Sequence, residues 1–153
     1  ASTKFEKMNV LYNISDFCIN TSYAEGFGLS TLESMMTATP IIAPKTGGLT
    51  RQVVDHRDNS ANGVAMDIEL KTLVGSQTVP YIYEDYVTNK TIAKSIYEMY
   101  SLDEKQKNDL SNKVKAYADF EFLHQDTVDK WHTSMLTTIE NFKKIKKWNI
   151  EEI

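Results

Sequence analysis

Three short apolar runs constrain this chain more than anything else in it: Asp16-Phe-Cys-Ile-Asn20, Pro40-Ile-Ile-Ala-Pro44 and Gly63-Val-Ala-Met66. Each is too short to be a helix and close to continuously apolar, the pattern of a strand covered on both faces. Prolines punctuate the second run at both ends. Between and before them the spacing is helical. Phe5 to Ser15 carries Phe5, Met8, Leu11, Tyr12 and Ile14; Ser30 to Thr37 turns Leu32, Met35 and Met36 inward; Leu49 to Asp55 follows a Gly47-Gly48 turn. Strands alternating with helices at this spacing predict βαβ units, hence an α/β fold built on a partial Rossmann-like parallel sheet. A sheet of three strands is smaller than the usual four to six or so and leaves an apolar edge bare. The chain is therefore expected to be the second half of a larger sheet.

Beyond the third run, residues 67–88 are rich in Gly, Ser, Thr and Tyr without a clear period, which predicts an irregular loop. Residues 89–153 are read as a helical tail. Ile92, Ile96, Met99 and Tyr100 form one stripe, Leu110, Val114 and Tyr117 a second, and a third helix starts near Gln125 and carries Trp131, Met135 and Ile139. The cluster Lys143, Lys144, Lys146, Lys147 and Trp148 at the end is expected to be a solvated helix face, with weak membrane association or docking on a partner domain as the rarer uses.

Charge and cysteine content narrow the partners. At 153 residues the chain has room for one domain. Its 17 basic and 21 acidic residues give a net charge of −4, which argues against nucleic acid as the main partner. Cys18 is the only cysteine, so a disulfide framework and a cysteine zinc site are excluded and a reducing, cytoplasmic-type compartment is expected. His56, His124 and His132 have no metal-binding spacing, and no metal or resident cofactor is expected.

The chemistry concentrates in Glu25-Gly-Phe-Gly-Leu-Ser-Thr-Leu-Glu33. The first run leads into this segment and a helix starts inside it, so under the open α/β rule it lies at the ligand-binding ends of the strands. Gly26 and Gly28 allow positive φ and close backbone approach. The N–H groups opening the helix near Ser30 point partial positive charge at the crevice, a place where a phosphate can be held. The two glutamates flanking such a turn are placed to grip hydroxyls of something attached to that phosphate. A plainer assignment competes for Glu33, because Ser30-Thr-Leu-Glu33 also matches the capping box, in which Glu33 bonds the Ser30 backbone. Two acids at one phosphate-facing loop tilt the balance toward binding.

With Leu11-Tyr-Asn-Ile-Ser-Asp-Phe17, Ser22-Tyr-Ala-Glu25-Gly-Phe-Gly-Leu-Ser-Thr-Leu-Glu33-Ser-Met, Thr39-Pro-Ile-Ile-Ala and Gly47-Gly48, the chain resembles the retaining GT-B glycosyltransferases of the family 4 type, over about Met8 to Val64. The resemblance implies the donor-nucleotide-binding half of a C-terminal domain and transfer of a sugar from a nucleoside diphosphate sugar to a hydroxyl acceptor, which can be glycan, lipid or protein. Glu25 would be the catalytic-site acid at the donor sugar, Gly26, Phe27, Gly28 and Leu29 would hold sugar and diphosphate with the Ser30 and Thr31 N–H groups assisting, and Glu33 would accept from the nucleotide ribose. It also implies diphosphate-binding basic residues and an acceptor-binding N-terminal domain upstream, so this chain alone is expected to be inactive.

Two positions depart from the family pattern. Ala38 stands where glycine commonly ends the motif helix, and left-handed geometry there would cost about 1 kcal/mol. Thr50-Arg51 stands where Pro-Glu is frequent. Lys45 is read as a surface lysine. Three alternatives stay open from sequence: a noncatalytic nucleotide-sugar-binding or interaction module, a glycoside hydrolase using both glutamates, and a plain α/β domain with a capping-box helix.

Overall fold

The computed structural model of the protein describes residues 5–142, which divide between two units, residues 1–121 and 122–153. In the first unit α1 (Phe5–Asn13) leads to β1 (Cys18–Ile19), α2 (Leu29–Met36), β2 (Ile41–Pro44), α3 (Leu49–Val53) and β3 (Gly63–Met66). The three strands form one parallel sheet in the order β1-β2-β3, with Cys18 opposite Ile41 and Ile41 opposite Gly63. This is the partial Rossmann-like sheet that the apolar runs predict; β1 is confined to the centre of its run, while β2 and β3 take up nearly all of theirs.

Burial explains why the runs are continuous. All four residues of β2 are buried. Ile42 packs with Met66 of β3 and with Met99, while Ile41 and Ala43, which point to the opposite face of a pleated strand, are equally inaccessible. A strand sandwiched in this way has no polar position to alternate with. Gly63 opens β3 at φ 139, and a Cβ there would stand 1.9 Å from Ile41 O, so glycine is what lets β3 close against β2.

The motif helix ends in a Schellman arrangement: Ala38 N–H donates to Met35 O at 3.0 Å and Thr39 N–H to Ser34 O at 3.0 Å. Ala38 takes the left-handed position at φ 63. The chain keeps the geometry of a glycine cap without the glycine.

Residues 67–88 correct the expectation of an irregular loop. They form an antiparallel hairpin of β4 (Leu70–Ser76) and β5 (Val79–Tyr86), with Leu70 opposite Tyr86 and Leu73 opposite Tyr83. The strand signal is carried by Val, Ile, Thr and Tyr rather than by alternation, since both faces keep exposed apolar groups such as Leu73, Tyr81, Ile82 and Tyr83. The register shifts between Val74 and Ser76, where Gly75 has φ 151. A bulged glycine and Pro80 inside the run hide a hairpin from a period count.

Two helices complete this unit. In α4 (Asn89–Tyr100), the Thr88 hydroxyl caps the Thr91 N–H and Met99 reaches the sheet. In α5 (Glu104–Glu121), Val114, Tyr117 and Ala118 are buried, and Tyr117 OH donates to Arg51 O at 2.7 Å. The second unit is described by α6 (His124–Glu140), whose residues are all accessible, including Val128, Trp131, Met135 and Ile139 on its apolar side. The residues Lys143, Lys144, Lys146, Lys147 and Trp148 lie outside the described residues. Among the described residues no helix is long and apolar enough to cross a membrane.

Candidate functional site

Two loops leave the carboxyl ends of β1 and β2, and the second supports the first. Gly48 N–H donates to Glu25 O at 3.0 Å. A Cβ on Gly47, whose φ is 46, would stand 2.1 Å from Glu25 O, and one on Gly48 would stand 2.5 Å from Gly26 O and 2.6 Å from Phe27 Cα. The Gly47-Gly48 turn is therefore a floor against which the Glu25–Phe27 backbone lies in direct contact, and any larger residue would lift it.

A second brace comes from α3. Gln52 is fully buried and donates through Nε2 to Phe27 O at 2.6 Å. Its Oε1 pairs with the Thr31 hydroxyl, which also lies 2.7 Å from Gly28 O. Thr31 is itself fully buried, so its side chain belongs to the loop's support and only its backbone N–H belongs to the first turn of α2. Gly28 occupies the N-cap at φ 89, and a Cβ there would meet Leu49 Cδ2 and Thr31 Oγ1, each at 2.6 Å.

Gly26 behaves differently. Its φ is not positive, and a Cβ would meet nothing within 4 Å. Of the two loop glycines expected to need special geometry, only Gly28 does; the space beside Gly26 is open. Phe27 and Leu29 carry exposed side chains on the same rim, and Ser30 is exposed as the second residue of α2.

The capping box does not form. The helix begins at Leu29, the N-cap is Gly28, and no side chain caps it. Glu33 consequently sits in the second turn, two residues deeper than an N-cap at Ser30 would place it. Its Oε2 accepts from Tyr12 OH of α1 at 3.1 Å. Tyr12 is buried, and its phenol is pushed up to about 12, first by desolvation and then by the hydrogen bond to Glu33. It stays a proton donor to Glu33 throughout the neutral range. A groove of about 310 Å³ runs beside this pair, lined by Met8, Asn9, Leu32, Met36 and Thr37 as well as Tyr12 and Glu33. Glu33 lines this groove and Glu25 does not.

Glu25 is half-buried, and among the described residues its carboxylate makes no hydrogen bond or ion pair with the protein. Lys45, in contrast, is engaged with Asp67 at 2.7 Å. Among the described residues no group of three or more His, Cys, Asp or Glu side chains is arranged to hold a metal.

Residues 3–72 match the family of glycosyl transferases group 1. That segment is similar to the group 1 glycosyltransferases. The match spans both loops, Glu25, Glu33 and the Gly47-Gly48 floor. Similar curated proteins include the D-inositol 3-phosphate glycosyltransferase of Arthrobacter sp., 39% identical over 46 residues, or 30% of this chain and 11% of that protein. D-inositol 3-phosphate glycosyltransferase 2 of Catenulispora acidiphila is 37% identical over 49 residues, 32% of this chain and 12% of its own length. The D-inositol 3-phosphate glycosyltransferase of Mycobacteroides abscessus is 36% identical over 52 residues, 34% and 12% respectively. The chain thus spans only 11% to 12% of these relatives' length.

Within this segment, sequence reasoning misses two supporting residues. Gln52 leaves a trace, since a glutamine between Leu49 and Val53 on the buried side of a short helix must find internal partners. Tyr12 reads as one more apolar position of α1, and its bond across 21 residues to Glu33 has no local signature.

Proposed function

We propose that this chain is the donor-binding part of a retaining, GT-B type glycosyltransferase of the family 4 kind that uses a nucleoside diphosphate sugar. The single observation carrying this reading is Glu25: a carboxylate without a partner among the described residues, beside an open glycine, on a loop braced by Gly47-Gly48 and Gln52. An acid kept free of protein partners at the strand ends is available to accept from two sugar hydroxyls, and charge-assisted bonds of this kind are among the stronger ones. In this reading the first-turn N–H groups of Leu29, Ser30 and Thr31, which follow the loop in sequence, oppose the negative charge that builds on a departing diphosphate. Glu33, steadied by Tyr12, keeps a second oxygen for a ribose hydroxyl. No resident cofactor or metal is part of this reading, and its single cysteine suits a reducing, cytoplasmic-type compartment.

The acceptor is a hydroxyl group of a glycan, lipid or protein, brought by a domain outside these 153 residues. The chain alone is expected to be inactive.

The test uses the parent protein and the chain side by side. Transfer from UDP-glucose or GDP-mannose should fall by roughly 100-fold or more in Glu25→Ala, the order seen when a transition-state contact is removed. In Glu33→Ala, KM for the donor should rise more than kcat falls. Donor turnover by the 153-residue chain alone would contradict the division of labour, and binding without turnover in the parent protein would favour a noncatalytic module.

A further inference from the structure

The β4–β5 hairpin contributes little to the core, yet its base is tied to both loops of the candidate site. Asp85, near the end of β5, is only 8% exposed. Its N–H donates to Tyr23 O at 2.7 Å, two residues before Glu25. Its Oδ2 accepts from Thr46 Oγ1 at 2.7 Å, one residue before Gly47, and that hydroxyl lies 3.4 Å from Tyr23 O as well. Lys71, its cross-strand neighbour, places Nζ 3.1 Å from Oδ1, off the direction a hydrogen bond needs. The next residue, Tyr86, packs on Tyr23 with ring centroids 4.3 Å apart.

Three segments far apart in sequence thus close on one residue: its N–H holds Tyr23 O, and its carboxylate faces Thr46 and Lys71. The hairpin does not require this, because its strands pair along their own ladder. Burying a carboxylate is costly unless it is paired and hydrogen-bonded, and here all of the partners belong to the site loops or to the hairpin itself. The Thr46 hydroxyl is the main reason that Asp85 is held below the usual carboxylate range, and Lys71 adds to it.

We infer that the hairpin is the positioning element of the donor loop, and that Asp85 is its positioning residue: by fixing Tyr23 and Thr46 to one another, it sets where Glu25 stands over the Gly47-Gly48 floor. This deepens the proposed function and rests on its reading of Glu25. Among the described residues, the loop's other anchors include Gly48 N–H to Glu25 O, Gln52 Nε2 to Phe27 O and the local Ser22 N–H to Asn20 Oδ1 bond. With the Asp85 carboxylate removed, its main-chain N–H still holds Tyr23 O, but Thr46 loses its tie to the hairpin. The Thr46–Gly48 turn beneath Glu25 would then shift, and a displacement of about 1 Å at a reacting group can cost on the order of 100-fold.

Amide hydrogen exchange on the 153-residue chain tests this directly. In Asp85→Ala, exchange of the Ala24–Phe27 amides should accelerate about tenfold or more while the amides of β2 stay protected, as expected for local opening. Asp85→Asn keeps an acceptor for Thr46 and should stay near the wild-type rate. Thr46→Val, which leaves Asp85 charged but removes its donor, should reproduce the loop effect. In parallel, Asp85→Ala should weaken UDP-glucose or GDP-mannose binding about tenfold, and more than it weakens UDP or GDP binding, because the Glu25 part of the loop serves the sugar. Unchanged loop exchange in Asp85→Ala, or acceleration spread equally over β2, would overturn the inference. Failure of the wild-type chain to bind either nucleotide sugar counts against the proposed function instead, and the exchange rates still decide the role of Asp85.

Discussion

Single positions in this chain separate backbone necessity from ligand necessity. Gly47 and Gly48 have no room for a Cβ, whereas Gly26 has open space on that side. Gly48→Ala is therefore expected to destabilise the fold by about 2 kcal/mol or more through displacement of the Gly26–Phe27 backbone. Gly26→Ala should leave stability within about 0.5 kcal/mol and still weaken nucleotide-sugar binding, since an added methyl would occupy the proposed ligand space. Urea unfolding and calorimetric titration of the same two variants give both readings. Ala38 offers the reverse case. Its φ of 63 suits glycine, so Ala38→Gly should raise stability by about 1 kcal/mol, seen as a higher urea midpoint at unchanged slope.

Tyr12 adds a dependence on pH. Its folded pKa, about 12, lies above the ordinary 10.0, so the folded state holds the proton more tightly than the unfolded chain. That stability is fully present below pH 10 and is lost as pH rises toward 12. Tyr12→Phe should remove this alkaline loss and, by deleting one hydrogen bond, lower neutral stability by about 1 kcal/mol. Urea midpoints measured from neutral pH into this alkaline range check both effects.

At the scale of elements, the short helix α3 and the hairpin β4–β5 do more than connect strands. Gln52 ties α3 to the Glu25–Phe27 loop and to α2, so Gln52→Leu would remove its bonds to Phe27 O and to the Thr31 hydroxyl. A loss of about 2 kcal/mol is expected, together with faster exchange in the loop. The hairpin is fastened by Asp85, whose pKa is lowered chiefly by the Thr46 hydroxyl. A depressed folded value means that the unfolded chain takes up the proton first. The fastening is thus complete above the ordinary value of 3.8 and is lost as pH falls through the lower, folded one. In urea titrations at acid pH, Asp85→Asn should show a shallower decline in stability below about pH 4 than the wild type.

For the molecule as a whole, all of the described buried residues lie in residues 1–121, and α6 buries none of its own. Residues 1–121 alone should therefore unfold cooperatively in urea, because that unit carries its own core. The apolar side of α6 and the short strand β1 at one edge of the sheet are both what a partial domain leaves accessible.

How much was legible in advance follows from the range of the interactions. The order of strands and helices, the parallel sheet and the glycine loop between Glu25 and Glu33 could be read because each depends on neighbours within a few residues: continuous apolar runs, proline stops, and glycines before a helix. The left-handed Ala38 was visible only through the family pattern, as a residue standing where glycine commonly ends the motif helix. The hairpin was hidden because exposed strands need no alternation, and the competing capping box failed because Gly28, not Ser30, begins the motif helix. What tertiary structure alone decided are the links from Tyr12 to Glu33, Thr31 to Gln52 and Thr46 to Asp85, separated by 21, 21 and 39 residues. Composition and periodicity report which face of an element is buried. Which polar partner waits on that face depends on how the elements pack, and only the packed chain determines it.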